Sequence, residues 1–147
     1  MASTSTLEKL PRGPRALLDE LRVGHLGAID DSGAPRVLPV TFAVLGESVW
    51  TAVDAKPKRR PGAELARVRW LRERPSAALT VDRYDDDWSR LAWVQLLGTV
   101  EVVDPAGHDA ALAALADRYP QYRADPPPGP LLCLRVDRAL WWSAAAG

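Results

Sequence analysis

The chain has few of the residues that build covalent or metal-centred chemistry. It holds one cysteine, Cys133, and two histidines, His25 and His108. One cysteine excludes an internal disulfide. His25 falls in an apolar run and His108 at an expected helix start, so with Cys133 they make no zinc set and no metal site is expected. Cys133 lies in LLCLRV with no His or basic residue directly beside it, which reads as a small apolar strand residue rather than a reactive thiol. Net charge is missing as well, with 19 Lys and Arg against 19 Asp and Glu. Nucleic-acid domains usually carry a net positive field, so neutrality argues against that class. No apolar run approaches the roughly 18 residues of a membrane span. The N-terminal MASTSTLEKLPRGP lacks a hydrophobic signal core, and a cytoplasmic location is the expectation. A P-loop, a nucleophile elbow and a dinucleotide-binding glycine fingerprint are all absent.

What is present suits one domain over residues 1–147, of which 47% are apolar. A chain of this size hides roughly 70% of its unfolded surface, enough for a core without staples. Residues 1–6 are small and polar and are expected to fray. Pro14 to Val23 reads as a helix with Leu17, Leu18 and Leu21 on one face and Gly24 at its end. The period then changes to two. His25 to Ile29 is a short strand, and Asp30-Asp31-Ser32-Gly33 is a tight turn. Arg36 to Leu45 follows as a strand, with Leu38, Val40, Phe42 and Val44 on one face. After a turn at Gly46-Glu47 comes a third strand, Ser48 to Val53.

Ala63 to Arg74 reads as a helix with Leu65, Val68 and Leu71 on one side. Ala77 to Asp82 is a fourth strand, Tyr84 to Trp88 an acidic loop, and Leu91 to Val103 a long strand bent at Gly98. Asp104-Pro105 opens a helix through Arg118. Pro120 to Pro130 is a connector, and Leu131 to Trp142 the last strand. The expected fold is mainly β (α+β), a six-stranded antiparallel barrel with flanking helices.

The strongest functional signal is WTAVDAKPKRRPG, Trp50 to Gly62. Lys56, Lys58, Arg59 and Arg60 crowd together on a neutral chain. A solvated surface run is the plain reading. The position, after a strand and before a helix, favours an anion site, because backbone N–H groups and the positive helix end would point at one ligand. Asp85, Asp86 and Asp87 lack the ligand spacing of a calcium loop and read as a solvated turn. Trp50 and Trp93 alternate with apolar residues as core positions do. Trp88, on a loop, suits a subunit contact or a flat ring ligand. Trp141 and Trp142 are adjacent, so on a strand they point to opposite faces.

Three segments carry a resemblance. They are HLGAIDDSGAPRVLPVTFAV, VWTAVDAKPKRR and ARVRWLRERPSAALTVDRYDDDWSRLAWVQLLGTVEVV. Their specific parts are WTAVDAKPKR and YDDDWSRLAWV. The chain resembles the pyridoxamine phosphate oxidase-like split β-barrel superfamily, and within it the actinobacterial flavin/deazaflavin oxidoreductases classed as coenzyme F420-dependent. The resemblance implies an FMN-binding type of split barrel and a homodimer with cofactor at the subunit interface. It implies that Leu38, Pro39, Val40 and Thr41 line the ring system. Thr51, Ala52 and Val53, with Lys56, Lys58 and Arg59, would bind the phosphate-bearing tail, and Trp88 would reach across from the other subunit. Arg60-Pro61-Gly62 departs from the pattern of relatives, which implies a shifted helix start.

The activity so implied is hydride transfer from reduced F420 to a small electron-poor acceptor. The cofactor brings the hard chemistry, which fits the absence of a visible catalytic set. The cations Lys56, Lys58, Arg59 and Arg60, followed by Arg67 and Arg69, exceed what one phosphate needs and favour the deazaflavin. Arg67 and Arg69 lie about 200° apart on an ideal helix and cannot both face one groove. The alternatives are a flavin mononucleotide (FMN) enzyme of the same fold, or a non-catalytic flavin-, deazaflavin- or haem-binding protein.

Overall fold

The computed structural model describes residues 2–53 and 65–145. Among these residues there are eight strands. They are β1 (Ala2–Thr4), β2 (Gly24–Ile29), β3 (Pro35–Val40), β4 (Ala43–Leu45), β5 (Ser48–Ala52), β6 (Ser76–Arg83), β7 (Ala92–Val103) and β8 (Leu131–Ser143). The helices are α1 (Arg12–Glu20), α2 (Ala66–Glu73), α3 (Asp109–Arg118) and α4 (Pro120–Ala124), and a short 3-10 turn covers Trp88–Arg90. The strands make one sheet in the order β3-β2-β6-β7-β8-β5-β4, with β1 added on β8. Every ladder is antiparallel.

The connectivity forces the sheet to curl. Its two ends, β3 and β4, are consecutive in the chain and are joined only by Thr41 and Phe42. Two linking residues span on the order of 10 Å, so the edges must approach each other. They do not pair with each other, and the sheet stays unclosed along this seam. The fold is mainly β with flanking helices, a split barrel.

Eight strands rather than six follow from two local facts. The expected strand Arg36–Leu45 is interrupted at Thr41-Phe42, because the backbone N–H of Phe42 donates to the Tyr119 hydroxyl at 2.9 Å instead of joining a ladder. The N-terminal residues expected to fray include a strand. Ala2–Thr4 pairs with Ala139–Trp141 along the stretch of β8 that β5 leaves free. The Glu47 carboxylate holds the following turn, accepting from Leu7 N at 2.7 Å and Glu8 N at 3.0 Å. Leu7 and Leu10 are buried there.

The helix ends also differ from expectation. α1 stops at Glu20 rather than Val23, and Leu21 is extended. The Arg118 guanidinium donates to the carbonyls of Leu18, Asp19 and Leu21, giving the helix end partners its own backbone cannot supply. Gly24 does not end the helix but opens β2, where a Cβ would meet Leu79 Cδ1 at 2.8 Å. α3 begins at Asp109, because the Asp104 carboxylate accepts from Ala106 N at 2.8 Å and Gly107 turns the chain with φ +85°. The connector Pro120–Pro130 contains α4, opened by a proline at its first turn. The expected bend at Gly98 coincides with an irregularity of the β7–β8 ladder whose extra residue, Asp137, is on β8. A register shift falls between Leu97 and Gly98, and a Cβ at Gly98 would lie 1.9 Å from the Arg135 carbonyl oxygen.

Two cores result. The larger fills the barrel under α1 and α2, with Leu18, Leu26, Phe42, Val68, Leu79 and Leu96 among its members. The smaller packs Trp50, Ala52, Leu131 and Cys133 against Ala111, Leu115, Tyr119 and Tyr122 of the α3–α4 region. β5 is therefore covered on both faces, with Val49, and Val53 just beyond the strand, in one core and Trp50 and Ala52 in the other. Replacing Tyr119 by Phe leaves the buried Phe42 N–H unpaired. Urea denaturation should show a loss of about 1–3 kcal/mol. An unchanged midpoint would rule out the phenol as the closure of the seam.

Candidate functional site

The site residues follow from how each strand meets its neighbours. On β3, Leu38 lies opposite Leu26, Pro39 opposite His25 and Val40 opposite Gly24. The period of two turns Leu38 and Val40 inward and Pro39 outward, and the burial agrees: Val40 is buried, Leu38 half-buried and Pro39 exposed. Thr41 is half-buried at the seam, its hydroxyl 2.9 Å from the Tyr122 hydroxyl. On β5, Thr51 and Ala52 lie opposite Leu132 and Leu131, and Val53 N donates to Pro130 O at 3.3 Å. Thr51 is the one buried polar side chain among the described residues. Val40, Phe42 and Val53 belong to the larger core, and β4 pairs with β5 with Ala43 opposite Trp50, so the Thr41-Phe42 link that follows β3 runs toward the Thr51 end of β5.

Lys56, Lys58, Arg59 and Arg60 lie outside the described residues. Their flanks are fixed, by Val53 on one side and α2 on the other. α2 is held against the β2–β3 turn. Arg69 on α2 makes a 2.9 Å ion pair with Asp31, Arg74 donates to the Asp30 carbonyl at 3.1 Å, and Arg36 lies over the Trp70 ring. The charge of Arg69 is thus engaged with Asp31, which subtracts one cation from the surplus counted in the sequence. Arg67 is half-buried, and its Nε has no partner among the described residues.

The Asp30 carboxyl is held below its ordinary value. The largest cause is the Ser32 hydroxyl, followed by Ala34 N–H, with Ser32 N–H and Arg36 adding to it. Asp87 is lowered likewise, first by the Ser89 hydroxyl and then by Ser89 N–H. Both are turn-forming carboxylates. The acidic segment is a structured turn that caps the 3-10 helix. Among the described residues no group of His, Cys, Asp and Glu could hold a metal ion, and no helix is long and apolar enough to cross a membrane.

Trp88 is 69% exposed. Within one chain it lies at the opposite end of β7 from the β5 site residues, whereas the registers put the Val40 end of β3 level with Val94, near the Trp88 end. It sits just before Ala92, whereas Ala52 lies opposite Leu131, which in turn faces Val103. Ala92 and Val103 are the two ends of β7, separated by about 36 Å of strand contour. Trp141 is half-buried against the core and Trp142 is 42% exposed, as the opposite-face reading requires.

Sequence reasoning missed Arg118, Tyr119 and Tyr122. Arg118 stacks over the Phe42 ring, Tyr119 closes the seam and Tyr122 touches Thr41. The available signal was the pair of tyrosines in RYPQY, which directly follows a helix and falls within a proline-rich stretch.

The chain matches the family model described as pyridoxamine 5'-phosphate oxidase over residues 14–130, and it belongs to that family. Solved structures share the fold. A haem-binding protein from Mycobacterium smegmatis superimposes with a TM-score of 0.70 at 24% identity, covering 88% of this chain and 52% of that one. This chain thus spans about half the length of the mycobacterial protein. An F420 reductase gives a TM-score of 0.64 at 24% identity, covering 90% of this chain and 98% of that one. A FAD-binding protein from Mesorhizobium loti gives 0.64 at 19% identity, covering 95% of each chain. No curated protein matches.

The Asp30 turn can be checked by titration. A depressed carboxyl stabilises the fold above the ordinary carboxylate range and loses that contribution as pH falls through the folded pKa. Carbon-13 NMR should place Asp30 below 3.8, and Ser32→Ala should move it back up toward that value. An Asp30 pKa that ignores the Ser32 change would refute the assignment.

Proposed function

We propose that this protein is an F420-dependent oxidoreductase that works as a homodimer. It would take a hydride from the reduced deazaflavin and pass it to a small electron-poor acceptor. The observation that carries this reading is the seam. β4 pairs with β5, Ala43 opposite Trp50, so the Thr41-Phe42 link runs toward the Thr51–Val53 end of β5, and the basic segment follows Val53 in the sequence. In this reading the ring lies against Val40 and Thr41, and Lys56, Lys58 and Arg59 grip its anionic tail. The bound cofactor supplies the hydride, while the chain's own residues hold the ring, grip the tail and exclude water. Family membership and the likeness to the F420 reductase fold support the same class.

The outer face of the sheet supports a second copy of this chain as partner. Cross-strand neighbours on that face include Val37, Gly27, Ala78, Leu97 and Arg138, and further along Pro39, His25, Thr80, Gln95 and Leu140. Trp93 and Trp142 face each other at the end of the same face. None of these residues belongs to either core. Exposed Val37 and Trp142 give the face an apolar character that a two-fold partner would cover. In this reading the partner's Trp88 would reach across to the cofactor.

One observation favours FMN as the second reading. The Arg69–Asp31 ion pair removes a cation from the count that preferred a multiply charged tail. Titration of the purified protein with F420 and with FMN, followed by fluorescence, separates the two. Submicromolar F420 binding with weak FMN binding is expected, and tight FMN binding alone would sink the F420 assignment. Light scattering should give twice the 16.0 kDa chain mass for the wild type. The double change Val37→Lys with Trp142→Lys should give monomers, since both side chains are exposed in the single chain and fold stability should survive. A wild type that sediments as a monomer would remove the dimer.

A further inference from the structure

Resting on that cofactor reading, we propose that Tyr122 is a positioning residue for the ring, acting through Thr41. Tyr122 lies on α4 and is buried, while Thr41 is half-buried and so reachable from the seam. Their hydroxyls are 2.9 Å apart. A phenol is the better donor of the two, because it is several pK units more acidic than an aliphatic alcohol. Either hydroxyl could donate by geometry, and with the donor role assigned to Tyr122 the Thr41 proton is left for an outward acceptor. A chain of hydrogen bonds polarises along its length, so the Thr41 donor is strengthened by the phenol behind it. The ligand chemistry this suits is an electron-rich oxygen or nitrogen on the edge of a flavin-type ring.

The geometry also explains why the phenol can hold Thr41 rather than follow it. Tyr122 packs edge-to-face on Tyr119, with ring centroids 5.7 Å apart. Tyr119 is itself fixed by Phe42 N at 2.9 Å and by the carbonyls of Arg22 and Phe42 at 2.8 and 3.0 Å. The β3–β4 link thus has a phenol on each of its two residues. One closes the backbone at Phe42, and the other sets the side chain at Thr41.

The test uses the full chain, with FMN and F420 as separate probes. Wild type, Tyr122→Phe, Thr41→Val and the double variant are compared by dissociation constant and by the absorption spectrum of the bound ring. Loss of one neutral hydrogen bond should weaken binding about 3- to 10-fold in Tyr122→Phe and shift the spectrum. In the Thr41→Val background the same change should move neither readout, because its route to the ring is gone. Thr41→Ser, which keeps the hydroxyl, should retain the wild-type spectrum and serves as the reference if Tyr122→Phe folds poorly. A Tyr122→Phe protein with wild-type affinity and spectrum overturns the inference and leaves the cofactor reading intact. Equal losses in both backgrounds overturn it too. A wild type that binds neither probe fails the cofactor reading itself, and the inference falls with it.

Discussion

The structure depends on keeping two unpaired sheet edges together. β3 and β4 end a single curled sheet, and only Thr41 and Phe42 bridge them. A ladder would have closed this seam with a row of backbone hydrogen bonds. Here the closure comes from outside the sheet. Tyr119 accepts from Phe42 N, and Arg118 stacks over the Phe42 ring while donating to the end of α1. Arg22 returns a hydrogen bond to the Arg118 carbonyl. One helix end thus ties together α1, the seam and the smaller core. An unpaired buried amide costs more than a hydrogen bond is worth, so this closure matters beyond its count of bonds.

Much of this was legible in the chain, and the rest was hidden for identifiable reasons. Alternation found β2, β5, β6, β7 and β8 because each has at least one buried face with a period of two. Gly98 was readable as a special position because a central strand tolerates glycine only where backbone comes close, as the Arg135 carbonyl does here. The break at Thr41-Phe42 was not readable. Val40, Phe42 and Val44 keep perfect alternation across it, and the interruption is caused by a tyrosine 77 residues away. The start of α3 was misplaced because Asp104-Pro105 has the composition of a helix opening, yet the Asp104 side chain bonds to Ala106 and Gly107 reverses the chain. α1 ended early for a similar reason, since its last carbonyls are taken by Arg118. Local composition sets propensities, and distant side chains decide where they stop.

The candidate site divides along the same line. The resemblance placed Val40, Thr41 and Val53, and the structure brings Val40 and Val53 into one core. It could not show that Thr41 has a buried phenol behind it, because that contact joins β3 to a segment that reads as mere connector. Electrostatics behaves likewise. A neutral chain says nothing about where charge is left over. Arg36, Arg69 and Arg74 are drawn to the Asp30–Asp31 turn, Arg83 to Glu20 and Arg135 to Glu101. Of the cations counted for an anion, Arg69 is the one drawn into such a pair among the described residues.

The small strand at the start of the chain has a different kind of importance. β8 is 13 residues long, and β5 covers only Leu131–Arg135 of its edge. Without Ala2–Thr4, the stretch around Ala139–Trp141 would present bare backbone donors and acceptors beside Trp142. Such an edge invites other chains to add strands to it. The Glu47 carboxylate, by gripping Leu7 N and Glu8 N, keeps that strap in place. A few small polar residues and one distant glutamate thus guard the molecule against aggregation, and a tag fused at the N-terminus would pull on that guard.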